Sequence, residues 1–121
     1  MSKTVLIVED YADARTMMKF LLQGFGYEVI EAENGQQAVE TVKINPPDLI
    51  LMDLSLPVMD GLTATQIIRK CDGVGKIPII AVTAYGNSFY RQAIEAGCDD
   101  LINKPLDFKN LEPILEQYLS Q

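Results

Sequence analysis

Five short apolar runs, each followed by a longer segment with helical spacing, constrain this chain more than any other feature. They are "TVLIV" (4–8), "YEVIEA" (27–32), "DLILMD" (48–53), "IPIIAVT" (77–83) and "DDLIN" (99–103). The first, third and fourth are continuously apolar rather than alternating. A strand needs that pattern when helices cover both of its faces, as in a parallel, doubly wound α/β sheet. Between the runs, the segment from residue 12 to 24 sets Ala14, Met18, Leu21, Leu22 and Phe25 at helical spacing. Asn34 and Gln37 resemble a capping box opening a helix through Val42. Helices are also predicted over 62–71, over 87–96 with Gly97 as the stop, and over 107–119, where Leu111, Ile114, Leu115 and Tyr118 share one side. "NPPD" (45–48) reads as a rigid turn between helix and strand.

A chain of 121 residues, 48% of them hydrophobic, is large enough for one packed core, so residues 1–121 are expected to form a single domain. The net charge of −7 opposes a nucleic-acid backbone and an anionic membrane surface, and neither a basic face nor a helix-turn-helix appendage is present. No apolar stretch approaches a membrane span, and "MSKTVLIVED" runs into a strand pattern unlike a signal peptide, so a cytoplasmic protein is expected. Cys71 and Cys98 are too far apart for a CxxC motif and read as free thiols. The absence of histidine excludes a Cys/His zinc site and any catalysis by a histidine of this chain.

With right-handed crossovers, every strand ends on the same side of the sheet, where a crevice forms at the switch in strand order. Glu9 and Asp10 follow the first strand, Asp53 ends the third, Thr83 and Ala84 the fourth, and Lys104 with Pro105 follows the fifth. Three carboxylates so close repel one another unless a cation lies among them. Mg²⁺, with its preference for oxygen ligands and retained water, is the natural choice. Mg²⁺ and Lys104 together neutralise Glu9, Asp10 and Asp53, and a neutral site can admit a phosphoryl group. Asp53 is then the candidate nucleophile, with Lys104 and the Thr83 hydroxyl holding phosphoryl oxygens and Ala84 leaving room. Each residue also has a plainer reading: Asp10 or Thr83 as a helix cap, Lys104 as a solvated loop charge, "LPVMDG" as an ordinary Pro-Gly loop. Their joint placement at four strand ends favours the chemical reading.

The segments "VLIVED", "DLILMDLSLPVMDG", "PIIAVTA" and "AGCDDLINKPL", in this order, resemble the response-regulator receiver domain of two-component signalling along the whole chain. The resemblance implies a flavodoxin-like sheet of order 2-1-3-4-5 with five helices. It implies that Asp53 takes a phosphoryl group from a phosphohistidine on a histidine kinase or histidine phosphotransfer protein. Asp10, Asp53 and the backbone carbonyl of Ser55 would bind Mg²⁺, with Glu9 acting largely through water. Thr83 and Lys104 would contact the phosphoryl group, the Lys104–Pro105 bond would be cis, Pro57 and Gly61 would shape the loop beside the site, and Asp60 would be structural. The protein would catalyse its own phosphorylation and dephosphorylation without being a conventional enzyme. The face of the fourth helix, fifth strand and fifth helix would carry output and dimerisation.

One departure stands out. Family members couple the threonine to an aromatic residue three positions before the lysine, and here that position is Leu101. Leucine has neither ring nor hydroxyl with which to sense Thr83. Tyr85, two residues after Thr83, is a candidate substitute, either shielding the acyl phosphate or moving with the loop; unchanged dephosphorylation in Tyr85→Ala would argue against shielding. Ser55 occupies the other position that influences hydrolysis. Phe89 and Tyr90 are adjacent, so at least one should be exposed. Gln121 follows the last predicted helix directly, which fits a stand-alone regulator or a receiver excised from a larger hybrid kinase or regulator. A phosphate-free interaction module has only Leu101 in its favour. A phosphatase would need an acid where Ser55 stands, and "EDYADAR" would repel a bound nucleotide or flavin phosphate.

Overall fold

The computed structural model describes residues 2–120. Along the chain run β1 (Thr4–Val8), α1 (Ala12–Gly24), β2 (Glu28–Ala32), α2 (Gly35–Ile44), β3 (Leu49–Asp53), α3 (Gly61–Arg69), β4 (Ile79–Thr83), a 3₁₀ turn (Gly86–Phe89), α4 (Tyr90–Ala96), β5 (Asp100–Asn103) and α5 (Phe108–Leu119). The strands form one parallel sheet in the order β2-β1-β3-β4-β5, the flavodoxin-like arrangement expected.

The sheet separates two apolar layers, and alternate residues of each central strand feed opposite ones. Leu6, Ile50, Met52 and Ile79 pack against Ala38, Val42, Ala64 and Ile68 on the side of α2, α3 and α4. Val5, Ile7, Leu49, Leu51 and Ile80 pack against Leu21, Leu22, Leu111 and Leu115 on the side of α1 and α5. Every one of these side chains is buried, each contributing roughly 1.5–3 kcal/mol relative to exposure if of Leu or Ile size. Continuous apolarity in β1, β3 and β4 follows directly.

Several predicted boundaries move, for local reasons. The fourth strand begins at Ile79 rather than residue 77, because Ile77 is still in a turn, donating its N–H to Val74, and Pro78 has no N–H. The single helix expected over 87–96 is split. Asn87 and Ser88 prefer turns to helix interiors, no side chain caps either piece, and the first piece is wound as 3₁₀. Asn34 does cap α2, its Oδ1 accepting the Gln37 N–H at 2.8 Å, but Gln37 reaches back to the N–H of Glu33 rather than of Asn34. Asp107 and Asn110 form a complete capping box on α5.

At the end of the sheet where the strands begin, Arg69 closes α3 with a guanidinium that makes four hydrogen bonds. Nε donates to the Gly97 carbonyl at 2.7 Å, Nη1 to the carbonyls of Gly75 at 3.0 Å and Ile77 at 2.5 Å, and Nη2 to Asp99 Oδ2 at 2.8 Å. The same Asp99 oxygen accepts the Ile79 N–H. One side chain thus fixes the end of α4, the approach to β4 and the start of β5. Gly97 is required twice over: its φ is 116°, and a Cβ there would stand 2.7 Å from Arg69 Cγ.

Candidate functional site

The opposite end of the sheet gathers the residues singled out in the sequence. Glu9 directly follows β1, and its N–H bonds the Ala32 carbonyl, extending the ladder by one residue. Asp53 is the last residue of β3 and pairs with Val82, so Thr83 lies one step further along the neighbouring strand. Lys104 follows β5, its N–H bonded to the Thr83 carbonyl at 2.8 Å. Ligand oxygens of Glu9, Asp10 and Asp53 all lie within 4.8 Å of one another. Glu9, Asp53 and Thr83 are buried, which polar groups tolerate only when satisfied.

Lys104 satisfies two of them. Its Nζ donates to Glu9 Oε1 and to Asp53 Oδ2, each at 2.7 Å. Burial alone would lower its pKa, but the hydrogen bonds and negative charges of Asp53 and Glu9 outweigh that and hold the ammonium above the ordinary lysine value. Glu9 Oε2 accepts the Tyr11 N–H at 3.1 Å, and Asp53 Oδ1 accepts the Ser55 N–H at 2.9 Å. Asp10 is exposed. Thr83 Oγ1 accepts the Tyr85 N–H at 3.1 Å.

For three residues the geometry departs from the plainer reading. Asp10 does not cap α1, whose N-cap residue is Tyr11 without any side-chain cap. Thr83 does not cap a helix either, and Lys104 is a half-buried bridge rather than a solvated charge. Asp60 does have the structural role expected, capping α3 through the Thr63 N–H at 2.9 Å. The Lys104–Pro105 bond is cis. Phe89 packs on the core and Tyr90 is exposed, which settles the adjacent pair. Leu101 is half-buried on the same side of the sheet as Phe89.

Two features of the site were not visible in sequence. An apolar cavity of about 410 Å³ adjoins the carboxylates, lined by Glu9 and Lys104 and by Ala14, Met17, Met18 and Leu106. Val58, in the loop after β3, has a φ of 66°, unusual for a β-branched residue. It is held there between a Met59 N–H that bonds the Pro57 carbonyl at 2.6 Å and a Met59 carbonyl that accepts the Gly35 N–H at 3.0 Å.

Gly61 holds the same loop against β3. A Cβ on it would collide with the Asp53 carbonyl oxygen and stand 3.0 Å from Met52 Cγ. Gly61→Ala is therefore expected to destabilise the protein by about 1–3 kcal/mol, the usual cost of overpacking, measured as a lower urea midpoint. An unchanged midpoint would mean that the loop gives way freely.

The sequence pattern of the response regulator receiver domain matches residues 5–116, and the chain belongs to that family. It is 44% identical over 118 residues to hybrid signal transduction histidine kinase G of Dictyostelium discoideum, aligning 94% of this chain to 3% of that protein. It is 46% identical over 107 residues to the chemotaxis protein CheY of Bacillus subtilis, covering 87% of this chain and 88% of CheY. The chain therefore spans a small fraction of one relative and nearly all of the other. Among solved structures, the receiver domain of sensor histidine kinase PA1611 from Pseudomonas aeruginosa, with a magnesium ion coordinated in the active site cleft, superposes with a TM-score of 0.92 over the whole of both chains at 34% identity. The receiver domain of Ssk1 from Saccharomyces cerevisiae, in a co-crystal with the histidine phosphotransfer protein Ypd1, gives 0.86 at 32% identity, covering 97% of this chain and 88% of that one.

Proposed function

We propose that the protein is a phosphoacceptor in a two-component phosphorelay, with Asp53 as the group that takes the phosphate. The observation that carries this reading is the bridge from Lys104 Nζ to Asp53 and Glu9, which places an ammonium beside the carboxylate that closes β3. An Asp53 carboxylate oxygen attacks the phosphorus of a partner's phosphohistidine, the N–P bond breaks, and the imidazole leaves with its electron pair. Lys104 then holds a phosphoryl oxygen, and the Thr83 hydroxyl, whose proton is not needed for its bond to Tyr85, donates to another. Hydrolysis of the acyl phosphate returns the carboxylate.

The acidic trio fits a hard divalent cation. Its oxygens converge, it offers no soft ligand, and Lys104 alone cannot balance three carboxylates once phosphate arrives. Asp10, Asp53 and the Ser55 carbonyl would hold Mg²⁺, with Glu9 acting largely through water, as the family resemblance implies. When bound, the metal supplies positive charge to the transferring phosphoryl group.

The donor has a surface to dock on. Beside the cavity, α1 turns Met17 and Phe20 to solvent at 57% and 70% exposure, with Tyr11 and Phe108 exposed nearby in sequence to α1 and α5. An apolar helix face bordering the cavity that Glu9 and Lys104 line suits the helical surface of a histidine kinase or phosphotransfer protein. Phe20→Glu is expected to lower transfer from a phosphohistidine protein by tenfold or more (about 1.4 kcal/mol) relative to transfer from acetyl phosphate, read by intact mass at short times. Equal loss with both donors would remove docking from this face. For output, Tyr90 and Ile94 on α4, with Leu101 and Tyr118 half-buried beside them, form an apolar strip for a downstream protein or a second copy.

The direct test is intact-protein mass after incubation with acetyl phosphate and Mg²⁺, beside an EDTA control. Gain of one phosphoryl group with metal and none without supports the reading. No gain from acetyl phosphate or from a phosphohistidine partner would leave a receiver fold that acts by shape alone.

A further inference from the structure

We propose that this chain reports phosphorylation through a local aromatic relay, from Thr83 through Tyr85 to Phe89, rather than across the sheet through position 101. The inference rests on the phosphoacceptor reading above and names how that site is read out.

Leu101 cannot carry the signal as a hydrogen-bonding side chain. It lies opposite Ala81 in the β4–β5 register, and its backbone N–H is taken by Asp100 Oδ1 at 2.8 Å. The hydrogen bond that Thr83 Oγ1 does accept comes from along the chain, from the N–H of Tyr85 at 3.1 Å. A hydroxyl drawn towards a phosphoryl oxygen must drag that amide or release it. Either event acts first on Tyr85, which is 62% exposed and has room to move.

The Tyr85 ring meets Phe89 edge to face, with centroids 5.9 Å apart and planes at 67°. Phe89 closes the 3₁₀ turn, packs on the apolar layer that includes Leu101, and immediately precedes α4. Among the described residues, hydrogen bonding at this end of α4 is sparse. Neither the 3₁₀ turn nor α4 has a side-chain cap, and the Ser88 N–H reaches the Tyr85 carbonyl only at 3.4 Å. The far end of α4 is fixed, because the Gly97 carbonyl is held by Arg69 Nε at 2.7 Å. A displacement entering at Phe89 therefore turns the helix about Gly97 and moves Tyr90 and Ile94, the exposed side chains of the output strip.

The test is amide hydrogen exchange over residues 84–97, read on the phosphorylated species that intact mass resolves, in the parent protein and in Tyr85→Ala. That substitution leaves the Thr83 to residue 85 backbone bond possible but removes the ring. Phosphorylation of the parent is expected to change exchange in residues 86–96, and Tyr85→Ala is expected to reduce that change by roughly twofold to tenfold, the range an aromatic pair supports, while still gaining one phosphoryl group. Phe89→Leu, which keeps a buried apolar side chain, is expected to do the same. A full exchange response in both variants, or a phosphorylated parent with no change in residues 86–96, would overturn the relay while leaving the phosphoacceptor reading intact. Failure of the parent to gain phosphate would instead remove that reading and the relay with it.

Discussion

An Asp53→Asn protein incubated with acetyl phosphate and Mg²⁺ is expected to gain no phosphoryl group under conditions where the parent protein gains one. The two side chains have the same shape, so the fold should be retained, and an amide oxygen can still accept the Ser55 N–H now bonded at 2.9 Å. That orientation points the amide nitrogen at Lys104, where a donor replaces the acceptor that sits 2.7 Å from Nζ. The neutral amide is no nucleophile, and it also loses the ion pair. A fall of roughly 10⁴-fold or more is the scale for removing the nucleophile of a covalent mechanism. Phosphate appearing at normal rate in the variant would place the acceptor elsewhere, with Asp10 the neighbour to examine.

Replacing Lys104 by methionine is expected to have the second largest effect, on stability as well as chemistry. It leaves Glu9, 1% exposed, and Asp53, 3% exposed, facing each other with no ammonium between them. Breaking a fully buried pair costs about 3–5 kcal/mol. Because 29% of the lysine side chain is in contact with water, we expect about 1–3 kcal/mol here, as a lower urea midpoint at neutral pH. Added Mg²⁺ should then stabilise Lys104→Met more than the parent protein, since the cation takes over a charge the variant lacks. Phosphoryl uptake should fall by roughly 10²–10³-fold, the usual loss for one donor to a developing oxyanion.

The same lysine sets a pH dependence. Its folded pKa is raised above the ordinary 10.5, so its contribution to stability is complete below that value and is lost as pH rises through the higher folded pKa. Between those limits the parent should lose stability with pH more steeply than Lys104→Met. Parallel midpoint curves for the two proteins above pH 10.5 would show that the bridge contributes nothing to folding.

What could be read from sequence and what could not divide along physical lines. Leu49 to Met52 announce a central parallel strand because burial on two faces leaves no position for a polar residue. Glu9, Asp53, Thr83 and Lys104 were legible as a group because strand ends in such a sheet converge whatever the loops do. Arg69 was not legible. A lone arginine at a helix end looks like a solvated cation, and three of its four acceptors are backbone carbonyls, which leave no trace in a sequence. The strained Val58 escaped for a similar reason, since neighbours on either side impose its φ. The split of the fourth helix had a signal in Asn87 and Ser88. The capping box of Asp107 and Asn110 also had one, in the spacing of the two side chains.

The bridge between Lys104 and Glu9 joins residues 95 positions apart, and Asp53 lies midway along the chain between them. On the phosphoacceptor reading, the nucleophile emerges during synthesis long before the lysine that would hold its phosphate. A nascent chain would then lack the ammonium of the site until β5 has left the ribosome and joined the sheet. Full competence to receive a signal would therefore arrive late in the life of each molecule.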